Sequence, residues 1–432
     1  MSKNNVNKLI PRLRFPDFAK DEEWVLNRLG NVYSFITTNS FSRDDLNYKN
    51  GEVKNIHYGD IHTKFLTLFD ITKENVPFIN ESIPLDKFKH VNYCKERDMI
   101  FADASEDLKD VGKSIELVNL NNEKLLSGLH TIHARQIDDE IVLGFGGYLF
   151  LNENIRKQIQ RESQGAKVLG ISATRLSNIN IFFSKKAKEQ QKIASCLLSL
   201  DEVITAECQK LEVLKEHKKG LLQKLLPSNG ETAPEFRFSQ FEEIGDWEET
   251  TLTKVADYEN GKAHEKDIED SGDFIVVNSK FISTDGEVKK FTNTAFCPAK
   301  KGDILMVLSD VPNGKAIAKC FLVEKDDHYT VNQRICKLTP RNLNSKILYY
   351  LLNRNPYFLS FDDGVKQTNL RKDDVLNCPL LIPSEPKEQE KIANTFSTID
   401  DLINAQIQKI EALNLHKKGL LQSLFPTISI EE

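Results

Sequence analysis

Residues 188–227 and 387–426 are two versions of one segment. Twenty-two of their forty positions are identical at a constant offset, without a gap. Both open on KEQ(Q/E)KIA, and both carry HKKGLLQ, at 217–223 and 416–422, shortly before Pro227 and Pro426. A segment written twice at this fidelity obliges the fold to use one structural unit twice. The repeat reaches further: PRLRFPDF at 11–18 answers PEFRFSQF at 234–241, and Trp24 answers Trp247, the only two tryptophans. Leu29 and Val32 answer Leu252 and Val255, and Gly165 and Lys167 answer Gly364 and Lys366. Between these anchors the halves diverge; GDIHTKFLTLFDITKEN (59–75) has no evident twin. Each half therefore reads as an opening motif, a variable domain and a shared helix.

The shared segment carries a heptad. Ile193, Leu200, Leu214 and Leu221 fall at one position; Leu197, Ile204, Leu211 and Leu225 fall at the other. The second copy repeats the stripe with Ile392, Phe396, Ile399, Ile403, Ile410, Leu413, Leu420 and Leu424. This spacing buries a narrow apolar seam against a partner helix. Forty helical residues measure about 60 Å, and a proline stops each copy. Two matching stripes in one chain pack most simply on each other, antiparallel, with Glu207 meeting Gln406 as a polar layer that fixes register. Glu207, Gln406, Lys218 and Lys417 interrupt the stripes at equivalent places. Gly220 and Gly419 each cost a helix about 1 kcal/mol, and a close approach of another backbone is the expected compensation.

The variable domains read as mixed α/β. DMIFADAS (98–105) and GDILMVLS (302–309) have the form of short buried strands, and GDFIVVNSKFIS (272–283) reads as a strand before a turn at 285–286. KILYYLLNRNPYFLSF (346–361) reads as a buried helix.

Composition narrows the function classes. No run of 18 apolar residues occurs, the N-terminal stretch lacks the apolar core of a signal peptide, and seven scattered cysteines never fall as CxxC. A cytoplasmic protein without disulfide framework, zinc site or cofactor is the expectation. Net charge is −6, against a basic island of Arg156, Lys157, Arg161, Lys167, Arg175, Lys185, Lys186 and Lys188 offset by Glu162 alone. An acidic chain with such an island can still hold phosphate. Catalytic motifs are missing: PNGKA (312–316) lacks the upstream glycine and hydroxyl of a phosphate-binding loop, and GFGG (144–147) reads as a turn. His130 and His133 form a close pair without further ligands nearby. Asp273 with Glu287 and Lys289 has the outline of a metal-dependent nuclease site, but that motif is degenerate and the first half has no equivalent.

Two variable domains alternating with two repeated helices, each opened by KEQxKIA and closed by HKKGLLQxLxP, closely resemble the specificity subunit of type I restriction-modification systems. The resemblance covers nearly the whole chain. It implies an α+β fold in which two mixed α/β target-recognition domains are joined by two long, antiparallel coiled-coil spacer helices, with a pseudo-two-fold internal repeat. The expected boundaries are 1–186 for the first recognition domain, 187–228 for the first helix, 229–385 for the second domain and 386–432 for the second helix and tail. The resemblance further implies that each domain reads one half of a split site on double-stranded DNA. The helices set the gap and dock two methyltransferase subunits, the assembly recruits motor-nuclease restriction subunits, and the subunit itself does no chemistry. Base readout needs polar side chains on loops that reach a groove, and phosphate contacts need basic ones. The candidates at repeat-equivalent loops are Lys109, Lys113, Lys167, Ser172 and Arg175 in the first domain, and Lys262, Lys315, Lys366, Gln367, Asn369 and Arg371 in the second. A stand-alone nuclease and a pure coiled-coil interaction scaffold are the competing readings.

Overall fold

The structure, a computed structural model, describes residues 9–227, 231–312 and 314–427. The N-terminal octet, Asn313 of PNGKA, and residues 228–230 and 428–432 lie outside the described residues. The chain falls into two compact units, residues 1–208 with 409–432, and residues 209–408. These divisions run inside the two long helices, α1 (Ala187–Leu225) and α2 (Pro386–Ser423), and not at their ends. No described helix is long and apolar enough to cross a membrane.

In the first unit the apolar run after Asp98 becomes the strand Met99–Ala102, buried throughout. It lies at the centre of a five-stranded sheet ordered Tyr33–Ile36, Thr131–Gln136, Met99–Ala102, Ser114–Asn119, Leu68–Asp70. A second sheet contains the parallel pair Val53–Ile56 and Lys124–Ser127, and a separate ribbon pairs Val25–Arg28 with Asn180–Phe183. The main core gathers Trp24, Phe145, Phe182 and Phe183 with Ile193, Ala194 and Leu197 from the start of α1. Leu420 and Leu421 of α2, and Leu424 and Phe425 just after it, complete it. Trp24 meets Phe145 at 5.9 Å and Phe425 at 5.8 Å between ring centroids.

The second unit has a four-stranded sheet ordered Ala256–Asn260, Ile335–Pro340, Ile304–Val307, Cys320–Leu322, the same order without the outermost strand. It too has a smaller sheet with a parallel pair, Phe274–Val277 and Tyr329–Val331, and a ribbon of Glu248–Thr251 with Pro379–Ile382. Its core joins Trp247, Ile392 and Phe396 to Leu221, Leu222 and Leu225 at the end of α1 and to Leu226 just after it.

The repeated letters meet one another as repeated contacts. Glu189 and Glu388, in the first turns of the long helices, are buried, and each is gripped through two hydrogen bonds by the arginine of its opening motif. Arg14 binds Glu189 at 2.6 and 2.8 Å, and Arg237 binds Glu388 at 2.7 Å twice. The opening motifs also tie down a helix end: the Leu13 N–H donates to Ser423 O and the Phe236 N–H to Lys224 O, each at 2.8 Å. Lys417 reaches Asp201 in the first unit and Lys218 reaches Asp400 in the second, both at 2.5 Å. Each aspartate also accepts a tyrosine hydroxyl, Tyr148 at 2.8 Å and Tyr350 at 2.7 Å. In the first unit Glu207 pairs with Lys409 at 2.6 Å, so partner numbers on α2 fall as those on α1 rise, and the two segments run antiparallel there.

Burial along the helices follows the heptad. Ile193, Leu197, Ile392, Phe396 and Ile399 are buried, and Leu200, Ile204, Leu211, Leu214, Ile403, Ile410 and Leu413 are half-buried, while their flanking positions are mostly exposed. The glycine expectation is corrected. A Cβ placed on Gly220 or Gly419 meets nothing within 4 Å, so no backbone approaches either residue closely. Two element readings are corrected as well. The strand at 272–283 ends at Val277, because the Asn278 side chain accepts the Phe281 N–H and caps a helical turn, Ser279–Ser283. The helix at 346–361 breaks into Ser345–Leu352 and Pro356–Leu359; Pro356 disfavours helical backbone at Asn355, which caps the second piece.

Candidate nucleic-acid interface

In the first unit the parallel strands Val53–Ile56 and Lys124–Ser127 end side by side, with Ile56 opposite Ser127. Gly128 follows, and a Cβ there would stand 2.4 Å from Asn55 Nδ2 and 2.5 Å from Ile56 O, so only glycine lets the two strand ends close. His57 caps the turn Tyr58–Thr63 by accepting the Gly59 N–H on Nδ1, which leaves the ring proton on Nε2. Burial, followed by the charge of Arg43, pushes His57 down to about 4, so the ring is neutral at neutral pH. Tyr58 stands against three imidazoles, with centroids 4.7 Å from His57, 6.1 Å from His62 and 5.3 Å from His130.

His130 takes a left-handed backbone, φ 53°, and its side chain is half exposed, with Nδ1 3.1 Å from the Asp103 carboxylate. In the turn of Tyr58, whose ring meets His130, the buried Asp60 carboxylate binds Arg43 at 2.7 and 2.8 Å and Lys64 at 2.9 Å. Burial alone would raise Asp60, but these two cations hold it below the ordinary carboxylate range. Arg43 and Lys64 keep 43% and 48% of their side chains exposed, so a buried anion presents two cations to solvent in fixed positions.

The second unit builds the same turn from other residues. Val277 stands opposite Val331, Asn278 caps the helical turn, and Asn332–Arg334 leads into the next strand. Lys280, Lys290, Gln333 and Arg334, all exposed, line a groove with Asn278 and Glu265.

The sequence-predicted residues fall beside these turns. A short ribbon pairs Ala104–Ser105 with Leu169–Gly170, and another pairs Ser309–Asp310 with Thr368–Asn369. The first ribbon joins the loop of Lys109, exposed, to the segment of Lys167, exposed, and Ser172, which caps the turn Ala173–Ser177. His62 donates toward Ala104 O at 3.0 Å, and Lys113 Nζ donates to His62 O at 2.8 Å, which ties this ribbon to the histidine cluster. The Arg175 guanidinium donates to Glu162 O at 3.0 Å. The second ribbon carries Lys366, Gln367, Asn369 and Arg371, all exposed, next to Lys315 on the loop that wraps the Asp310 carboxylate. Lys262 is exposed and bridges to Asn332, beside Arg334.

The basic island is only partly available. Arg156 spends its guanidinium on the carbonyls of Lys109, Val111 and Gly112, at 2.6–2.8 Å, and is structural. His133 is buried on Asp98 at 2.7 Å beside Arg135, a structural role in the sheet. Asp273 donates its N–H to Asn293, and Glu287 and Lys289 are exposed. Among the described residues no three His, Cys, Asp or Glu side chains are arranged to hold a metal ion. Arg43, Tyr58, Lys64, Lys280, Lys290 and Arg334 escape the sequence reading, and His130 is read there only as half of a close pair with His133. Of these only Lys64 carries an advance signal, since GDIHTKFL (59–66) belongs to a stretch without a counterpart in the other half.

Comparison with known proteins gives a consistent family. Residues 244–412 match the family described as type I restriction modification DNA specificity domain. The type I restriction enzyme MjaVIII specificity subunit of Methanocaldococcus jannaschii is 25% identical over 298 residues, 64% of this chain and 68% of the relative. The putative type I restriction enzyme MjaX specificity subunit of the same organism is 24% identical over 418 residues, 93% of each chain. The crystal structure of a type I restriction-modification system S subunit from M. genitalium shares the fold, with a TM-score of 0.59 and 14% identity, covering 98% of this chain and 100% of that one. A chain from a structure on assembly and conformational transition of the type I R-M system gives 0.56 at 15% identity, covering 93% and 97%.

Proposed function

We propose that this chain, a member of the type I restriction-modification specificity subunits, reads one half of a split DNA sequence with each of its two units. The observation that carries the reading is a repeated frame with unlike surfaces. The Arg–Glu clamp, the Tyr–Asp–Lys node and the strand order recur in both units, while the exposed side chains at the matched turns differ. Equal frames related by a pseudo-two-fold repeat suit two contacts of equal geometry with a duplex, and unlike tips suit two unlike base sequences.

In this proposal Lys109, Lys113, Lys167, Ser172, Arg175, Lys262, Lys315, Lys366, Gln367, Asn369 and Arg371 supply phosphate and groove contacts. The stripes of α1 and α2 form an antiparallel coiled-coil spacer that sets the gap between the half-sites. Two methyltransferase subunits dock on the outer faces of the helices, and motor-nuclease subunits join through them. The docking reading is supported by exposed apolar residues on those faces, Leu198, Val203, Val213, Leu402 and Leu415, and by the open space over Gly220 and Gly419. Chemistry belongs to the partners. Mapping methylated motifs in the genome of the cell that carries this gene, with the gene present and deleted, tests the reading. A motif of two short blocks around a fixed gap is expected to vanish on deletion; a motif set unchanged by deletion refutes it.

A further inference from the structure

We propose that base edges are read at the turn that leaves the parallel strand pair, by His130 flanked by Arg43 and Lys64 in the first unit, and by Arg334 flanked by Lys280 and Lys290 in the second. This rests on the DNA-reading function above and adds the residues that set the sequence read.

The two turns are the same piece of backbone. The Gly128 N–H donates to Ile56 O at 2.8 Å, and the Asn332 N–H donates to Val277 O at 3.0 Å. Two residues on, the His130 carbonyl accepts the Asp103 N–H at 3.0 Å, and the Arg334 carbonyl accepts the Leu308 N–H at 3.0 Å. His130 and Arg334 therefore occupy one position in the repeated frame, each immediately before the next strand of the main sheet. A repeated backbone that exchanges an imidazole for a guanidinium at one solvent-facing position is a frame with interchangeable readers.

Both side chains are poised for an outside partner. Arg334 is exposed, and among the described residues its guanidinium has no protein partner, so its fork is free for the O6 and N7 of a guanine. His130 leans on Asp103 through Nδ1, which leaves Nε2 for a base edge. It also holds a left-handed backbone that a non-glycine residue adopts at some cost, a conformation found disproportionately at binding sites. The flanking cations differ in origin but not in effect. Arg43 and Lys64 are fixed by the buried Asp60, and Lys280 and Lys290 stand exposed in the groove with Arg334. A reader between cations is the arrangement in which phosphate contacts set the register and one side chain tests the base.

The test uses the full chain in its native cell and reads the methylated motif by sequencing. His130→Asn keeps a residue that tolerates the left-handed backbone, and Arg334→Ala removes the fork from an exposed site. His130→Asn is expected to relax or change one position in one half of the motif, and Arg334→Ala one position in the other half. Selectivity for the favoured base falls by about tenfold in each case. Lys290→Ala is expected to lower methylation at every site while leaving the motif intact. If the wild-type motif depends on the gene but both reader variants write it unaltered, with strand protection in hydrogen exchange retained, the reader assignment is wrong. It is equally wrong if both variants alter the same half. Absence of any gene-dependent two-block motif in the wild type overturns the functional reading itself.

Discussion

Replacing Arg237 by methionine strands a buried carboxylate. Glu388 is fully buried and receives two guanidinium hydrogen bonds at 2.7 Å; without them its carboxylate keeps, among the described residues, only the Trp247 indole N–H, at 3.3 Å. Arg237 also donates to the carbonyls of Ile244, part-buried, and Gly245, exposed, neutral acceptors that cost less to leave unpaired than a carboxylate. The dominant loss is thus an unpaired charge in the interior, worth about 3–5 kcal/mol. In a unit of 200 residues this shifts the melting temperature down by roughly 6–20 °C, at about 2–4 °C per kcal/mol. The double variant Arg237→Met, Glu388→Met buries no charge and is expected to recover most of the loss. Because a two-unit chain need not melt in one step, the assay is hydrogen exchange resolved by segment, followed at Ile304–Val307 as temperature rises. A single variant within about 1 kcal/mol of the parent, or a double variant no better than the single, refutes the clamp as a source of stability.

Three further outcomes follow from other features. Burial pushes Glu116 up to about 7 from the ordinary 4.5, although Gly144 and Gly147 donate their N–H groups to it. Its folded value is raised, so its contribution is complete below pH 4.5 and is lost as pH rises toward 7, by up to about 1.4 kcal/mol per pH unit. His57, lowered from 6.5 to about 4, works in the opposite sense over an overlapping range, so the Glu116 effect is read as the difference between the parent and Glu116→Gln in urea midpoints against pH. A difference independent of pH contradicts it. Asp400→Asn keeps an acceptor for the Tyr350 hydroxyl but loses the charge that holds Lys218, and is expected to destabilise the second unit by about 1–2 kcal/mol in the same exchange assay. Lengthening both long helices by one turn is expected to widen the gap in the methylated motif while leaving both blocks unchanged; a constant gap argues against the spacer.

What the sequence reveals and conceals follows from the range of each interaction. The heptad of α1 and α2 is local and periodic, so letters alone place Ile193, Leu197, Ile392 and Phe396 on a buried face. Lys218 and Lys417 look like flaws in that stripe, because nothing in a single helix shows that a distant aspartate completes the lysine, Asp400 for Lys218 and Asp201 for Lys417. Arg14 and Glu189 both stand in repeated motifs, yet their pairing spans 175 positions and becomes visible only when the fold joins them. The apolar run at 274–277 reads correctly as strand, but its continuation fails at Asn278, where a cap outweighs the apolar pattern. The histidine cluster conceals itself most completely: His57 and His62 share the turn of Tyr58, and His130, from a distant segment, joins them only because Gly128 allows two strand ends to touch.

The first unit borrows its last wall from far along the chain. Phe425 meets Trp24 edge to face and lies tilted against Phe145, and Arg12 reaches Ser423 across 411 positions. On the ribosome, the socket around Trp24 therefore stays uncovered while residues 209–425 are made, roughly 10–45 s at about 5–20 residues per second. Until Phe425 has emerged, the core of the first unit lacks its closing ring.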